Sequence, residues 1–261
     1  MSKRTRTVLG AFALAAGLFA LSQLAGRAGD VKLVVPAAAV TDMVKSDIEV
    51  VTAALAGKDG KAPLPKDVKR AKVATLNIAL TAKASKNDAL YAQAIQVLEG
   101  LAKEDGIADA RKAADGLSKP SGGDAKGDPI KLALWDTDNK SWDKDLAMQL
   151  FKTPRAGGLG FEKTIKDYAE KDPPASKLNE ILAMAHKIAM LSQAIEQVGP
   201  DKADGPTKTP EAWKKFAETL QKTALEVATA ASSKKAGAVR EALFRMDTSC
   251  VNCHEKFKTT P

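Results

Sequence analysis

An all-α fold is predicted from three observations. Alanine, lysine and leucine are abundant while aromatics are only 5%, a composition that favours helix over strand. Apolar residues recur at steps of three and four along most of the chain, the period of a helix with one buried face. Proline and glycine cluster between these stretches, where helices start and stop. The 261 residues suffice for one large domain or two bundles of ordinary size.

The first 28 residues have the form of a targeting segment. Lys3, Arg4 and Arg6 precede an apolar run from Val8 to Leu24, and Gly26 and Ala28 stand at −3 and −1 of a cleavage site. Residues 1–28 are therefore expected to be a signal peptide. The run is near the lower limit for a spanning helix, so a retained membrane anchor is the alternative. No cysteine follows it to carry a lipid. The formal charge is +8, but residues 1–28 hold four basic residues and no acid, which leaves 36 basic and 32 acidic residues after them. So weak an excess suits steering toward an acidic partner. It makes no case for nucleic acid, because no basic block is interleaved with aromatics.

A first helix is expected over Ala37–Ala56, with Val40, Val44, Ile48, Val51 and Leu55 on one face. Gly57–Pro65 is a loop whose last proline can open a helix, and Lys66–Ala84 is the second, with Val73, Leu76 and Leu80 together. Lys86–Glu104 is a third, striped by Leu90, Ala94, Val97 and Leu101, and a shorter fourth runs from Gly106 to about Leu117. These make a first bundle over residues 31–118. Lys119–Pro129, with Pro-Ser-Gly-Gly-Asp and Lys-Gly-Asp-Pro, reads as a linker to a second bundle over 130–261.

The second bundle begins irregularly. Trp142–Lys152 and Phe161–Lys171 have helical spacing, with Arg155-Ala-Gly-Gly-Leu-Gly160 between them. Those glycines make no phosphate loop, since no strand precedes them and no Gly-Lys-Ser/Thr follows. Ser176–Val198 is a strongly periodic helix, and Gly199–Thr209 is a loop. Pro210 opens a helix striped by Trp213, Phe216, Leu220, Ala224, Val227 and Ala231. After a turn at Ser232-Ser233 the last helix runs from about Lys234 to Lys258. Val239, Ala242, Met246, Cys250, Cys253 and Phe257 share its face.

That last stripe contains Cys250-Val-Asn-Cys253-His254, the Cys-x-x-Cys-His attachment sequence for haem c. Each thiol adds across a haem vinyl group and the histidine supplies an imidazole to the iron. Residues three and four apart share a helix face, so Cys250, Cys253 and His254 all address one haem. The chain has only these two cysteines and, besides His254, only His186. A cluster or zinc site held by four cysteines of one chain is thereby excluded, and a two-cysteine, two-histidine zinc site has the wrong spacing. A thioredoxin-like pair, which opens a helix in a βαβ setting, and a chance cysteine pair beside a histidine remain as rival readings.

The region from Ser176 to Lys258 resembles the class II cytochromes c of the cytochrome c prime type. The resemblance lies in a helix, a Pro-rich loop, Pro210-Glu-Ala-Trp213 opening the next helix, a tight turn, and Thr248-Ser-Cys-Val-Asn-Cys-His-Glu-Lys-Phe-Lys258 near the C-terminus. It implies a four-helix bundle with one covalent haem c, attached outside the cytoplasm, in agreement with a signal peptide and a periplasmic location. It also implies that Lys258 lies near the haem's proximal face and that the first helix of the bundle faces the sixth iron position. That helix falls within Trp142–Lys171, where Met148 is the one soft-ligand candidate. His186 reads instead as a partly exposed helical histidine, and Met246 as a core residue. The order of the first half resembles a second copy without a haem site, and Ala71–Leu80 is loosely like Met184–Leu191.

Three functions follow as expectations. The first is an exported electron carrier with a redox partner protein. The second is a haem protein that binds nitric oxide or carbon monoxide at an open or weakly held sixth position. The third is a helical interaction protein that uses its haem-free half. The resemblance leaves room for a homodimer. An enzyme is not expected: no nucleotide loop, no informative carboxylate pair and no nucleophile with a histidine occurs in the chain.

Overall fold

A computed structural model describes residues 31–57, 61–120, 127–136, 138–200 and 202–257. The protein is all-α. Its helices are α1 (Ala37–Ala56), α2 (Pro65–Ala84), α3 (Asp88–Ala102), α4 (Ile107–Asp115), α5 (Pro129–Leu134), α6 (Lys144–Gln149), α7 (Phe161–Ala169), α8 (Leu178–Gln197), α9 (Pro210–Ser232) and α10 (Ala236–Phe257). Single 3₁₀ turns follow α4 (Gly116–Ser118) and precede α7 (Pro154–Ala156) and α8 (Ala175–Lys177). The expected signal peptide and Lys258 lie outside the described residues, as does the 121–126 part of the expected linker. Among the described residues no helix is long and apolar enough to cross a membrane.

Helix starts follow side-chain chemistry. Proline occupies the first position of α2, α5 and α9, where its missing N–H costs nothing. Asn87, Asp128, Asp143 and Thr209 cap α3, α5, α6 and α9 by accepting backbone N–H groups. Several boundaries differ from those expected by one or two residues, two of them for a backbone reason. α3 begins at Asp88 and α10 at Ala236, because Lys86 and Lys234 stand in the left-handed region, with φ of 58° and 57°.

Between Leu134 and Asp143 the chain forms a small antiparallel hairpin, Trp135–Asp136 against Ser141–Trp142, with the two indoles edge to face at 5.1 Å. The helix expected from Trp142 to Lys152 is therefore shortened to α6. Asp143 accepts the Leu146 N–H at 2.7 Å, so the helix starts only after it.

The N-terminal helices pack in sequence, α1 on α2, α2 on α3 and α3 on α4, and α4 returns to α1. Their core is built from residues such as Val51, Leu55, Ile78, Val97 and Leu101 and closes with Ala114 and Leu117. In the C-terminal half α8 packs on α9, α9 on α10 and α10 on α7. Packing continues across the expected boundary at residues 119–129, since α8 also lies against α1 and α2. At that junction the Lys187 Nζ donates to Asp47 Oδ1 at 2.6 Å and to Ser46 Oγ at 3.0 Å, while Asn77 Nδ2 donates to Asp47 Oδ2 at 2.6 Å. Burial raises the Asp47 carboxyl above its ordinary value, against the pull of the Lys187 charge and of both hydrogen bonds. The described residues from Lys32 onward form one compact unit.

Candidate functional site

α10 carries the cysteines because its apolar stripe runs on into them. Val239, Ala242, Leu243 and Met246 are buried, and Cys250 and Cys253 extend that stripe as half-buried free thiols. Met246 is fully buried, in the manner of a core residue. The last turn of α10 is pinned through Phe257, whose ring meets Trp213 edge to face at 5.1 Å and Phe216 at 6.0 Å. Such pairs contribute on the order of 0.5–1.5 kcal/mol beyond burial.

Trp213 is held from behind. Its Nε1 donates to the Ile195 carbonyl at 2.6 Å, and Gly199 leaves room for the ring. A Cβ on Gly199 would stand 2.6 Å from the indole Cδ1.

The facing wall comes from α6 and α7. Gly157 and Gly160 turn the chain between them, both in the left-handed region that glycine adopts without steric cost (φ 83° and 89°). A Cβ on Gly158 would meet the Gln149 and Lys152 carbonyls at 2.5 Å. The turn is tied back to the end of α6 by N–H donation from Leu159 to Leu150, from Gly160 to Lys152 and from Glu162 to Phe151. Met148 and Phe151 therefore come from one limb, and Glu162, Ile165 and Lys166 from the other.

These walls enclose a narrow cleft of about 110 Å³ that opens to solvent at its mouth, smaller than the roughly 300–1,000 Å³ typical of ligand pockets. Cys250, Cys253 and His254 line it, together with Met148, Phe151, Ile165, Ile195, Trp213, Phe216 and Leu220. The motif and the expected sixth-position candidate thus share one mainly apolar cavity. His186 lies elsewhere, in a separate groove with Pro36, Met43 and Leu182. The expectation that it is partly exposed is corrected: it is only 5% exposed, because α1 and the segment before it cover that side of α8.

The electrostatics separate two kinds of cysteine chemistry. Burial first, then the neighbouring charges of Asp247, Cys253 and Glu162, push the Cys250 thiol up to about 12. Burial pushes Cys253 up to about 11. A thioredoxin-like pair works with a thiol shifted the other way, so this environment disfavours exchange chemistry. Among the described residues no group of three or more His, Cys, Asp or Glu side chains could hold a bare metal ion.

Two rim residues escaped the sequence reading. Lys166 Nζ donates to Glu162 Oε1 at 2.7 Å, with side-chain exposures of 60% and 34%. That hydrogen bond, helped by the charges of Lys166, Lys152 and His254, holds the Glu162 carboxyl below its ordinary value against its partial burial. The same bond and charge raise Lys166, with further help from Asp247 and Cys250. The available signal was their i,i+4 spacing, which many solvated helices share. Compared with protein-family models, curated proteins and solved structures, the chain gives no significant match.

Proposed function

We propose that the protein is an exported c-type cytochrome that carries electrons through one haem c held covalently by Cys250 and Cys253. One observation carries the reading: both thiols and the imidazole of a Cys-x-x-Cys-His sequence line a single, mainly apolar cleft. The donor set fits a porphyrin, which brings its own four nitrogens and asks the chain for one imidazole, better than a bare ion. When bound there, haem supplies a one-electron iron couple. His254 would be the proximal ligand. Trp213 and Phe216 on one wall and Phe151 and Ile165 on the other exclude water, and such an apolar shell tunes the potential of a buried iron. Lys258 enters by resemblance alone, as a basic residue near the proximal face. Export rests on residues 1–28 together with the chemistry of haem c attachment. The partner is a redox protein, with an acidic surface favoured by the weak basic excess.

A second reading, binding of carbon monoxide or nitric oxide, is favoured by the placement of Met148. It is the one methionine among the described lining residues and sits on a helix of six residues. Met148 would offer a haem held there a thioether from so short an element that a gas could displace it.

The test is covalent retention. Denatured protein keeps its colour through acid–acetone extraction and gel electrophoresis. Colour that washes out overturns the reading. Electron paramagnetic resonance of the ferric wild type, Met148→Ala and His186→Ala then separates carrier from gas binder. A low-spin signal lost only in Met148→Ala favours the carrier, and a high-spin wild type that binds carbon monoxide when reduced favours the gas binder. A bis-histidine signal lost only in His186→Ala would contradict the cleft assignment.

A further inference from the structure

We infer that Glu162 and Lys166 form a charge pair that tunes the reduction potential of a haem held at Cys250 and Cys253, the carboxylate lowering it and the ammonium raising it. The inference rests on the cytochrome reading and adds residues that the attachment motif does not contain.

Both side chains line the cleft that the motif opens onto. They belong to α7, which packs directly on α10, and the Gly157–Gly160 turn presents the first turn of α7 to the motif. Glu162 sits in that first turn, where the helix dipole favours an acid. Its backbone N–H is fixed by the Phe151 carbonyl at 2.7 Å, and its carboxylate is fixed by Lys166 at 2.7 Å. The pair lies within electrostatic reach of the motif: the charge of His254 acts on Glu162, and the charges of Glu162 and Lys166 both act on Cys250, in opposite senses.

The sign of each effect follows from Coulomb's law. Ferric haem carries one more positive charge than ferrous haem, so a nearby carboxylate stabilises the oxidised form and lowers the potential. A nearby ammonium does the reverse. Because the two ends lie together, each masks the other, and removing one leaves its partner uncompensated. Both groups are partly exposed, so water and salt screen the effect and added salt reduces it.

The experiment measures midpoint potentials of haem-loaded full-length protein by spectroelectrochemistry at low and high salt. Glu162→Gln raises the potential, Lys166→Gln lowers it, the double variant returns close to wild type, and Glu162→Asp, which keeps the charge, stays near wild type. The single-variant shifts shrink in high salt. A merely structural role would move both single variants in the same direction or change melting temperature alone, and either result overturns the inference. Should Glu162→Gln fail to retain haem, the sign measured in Lys166→Gln decides the question by itself. Wild-type protein that holds no covalent haem is a different failure, that of the cytochrome reading.

Discussion

Two trios of helices in this chain follow one plan and end differently. α1 and α8 are each 20 residues long. Each is followed by a loop and by a helix with proline at its first position. Each second helix ends in a turn on a lysine in the left-handed region, Lys86 or Lys234. In both trios the second helix packs on the first and the third on the second.

The divergence comes in the third helix. Sixteen residues past the turn lysine stands Ala102 in one trio and Cys250 in the other. α3 stops at Ala102. Gly106 then brings the backbone so close that a Cβ there would stand 2.0 Å from the Gly100 carbonyl oxygen, and α4 and Leu117 fill the end of the bundle. α10 continues to Phe257 and carries Cys253 and His254 along a cleft. A helix extended by about two turns separates a packed end from an open, mainly apolar cleft. The loose likeness of Ala71–Leu80 to Met184–Leu191 does not follow this plan, since α2 is second in its trio and α8 first. The recurrence rests on order and turn geometry.

The comparison breaks most easily at the cysteines, where the largest effect is expected. Cys250→Ala with Cys253→Ala removes all covalent haem from the full-length protein, read as loss of haem stain after denaturing electrophoresis. Haem stain retained by the double variant would overturn attachment through these thiols, since the chain has no other cysteine.

The next largest effect lies where the trios meet. Lys187→Met leaves Asp47 buried without its cation, a change worth about 3–5 kcal/mol in buried pairs. The cost depends on pH. The folded Asp47 carboxyl already stands above its ordinary value and loses what lowers it, so it titrates still higher in the variant. The stability it contributes is then present below the ordinary carboxylate range and is lost as pH rises through the raised value. Chemical denaturation at several pH values should show the gap from wild type widening as pH rises from acid to neutral. A gap that narrows would mean that Asp47 is not the group left exposed to burial. Melting in two separate steps would show the trios to be separable.

Much of both trios was legible in the sequence because their helices carry a strong apolar period and the second helix of each begins with proline. α1 and α9 run as expected, and the stripe through Met246 does lead into Cys250. Three features left no local trace. The Trp135–Trp142 hairpin has strands of two residues, too short for any period. The left-handed turns use lysine rather than glycine, so nothing marked Lys86 or Lys234. His186 has a polar side chain, and its burial depends on α1, more than a hundred residues away. The cleft itself was half legible. Its cysteine wall follows from one helix, whereas the placement of Met148, Glu162 and Lys166 depends on the reversal at Gly157–Gly160, where the sequence showed only a break.

A smaller effect is expected behind the aromatic wall. Gly199→Ala drives a methyl into the Trp213 ring, which must shift toward the cleft. Overpacking of this kind costs about 1–3 kcal/mol. Tryptophan fluorescence and the visible spectrum should change together, because the ring that moves also lines the cavity. A loss of stability with an unchanged haem spectrum would detach Trp213 from the site.

The smallest effect contrasts two helix caps, one in each half. Asn87 accepts the Leu90 N–H at 3.1 Å and Asp143 accepts the Leu146 N–H at 2.7 Å. Replacing either by alanine costs about 0.5–2 kcal/mol, and the two should melt alike. They should differ in function. α3 has 15 residues and a packed core on its inner face, so Asn87→Ala frays one end and leaves the cleft intact. α6 has six residues, too few to persist without its cap and its tertiary contacts, and it carries Met148. Asp143→Ala should therefore loosen the cleft wall at Met148 and speed carbon monoxide binding to the reduced protein, measured by flash photolysis, while Asn87→Ala leaves that rate at the wild-type value. Equal rates in the two variants would mean that Met148 does not guard the sixth position.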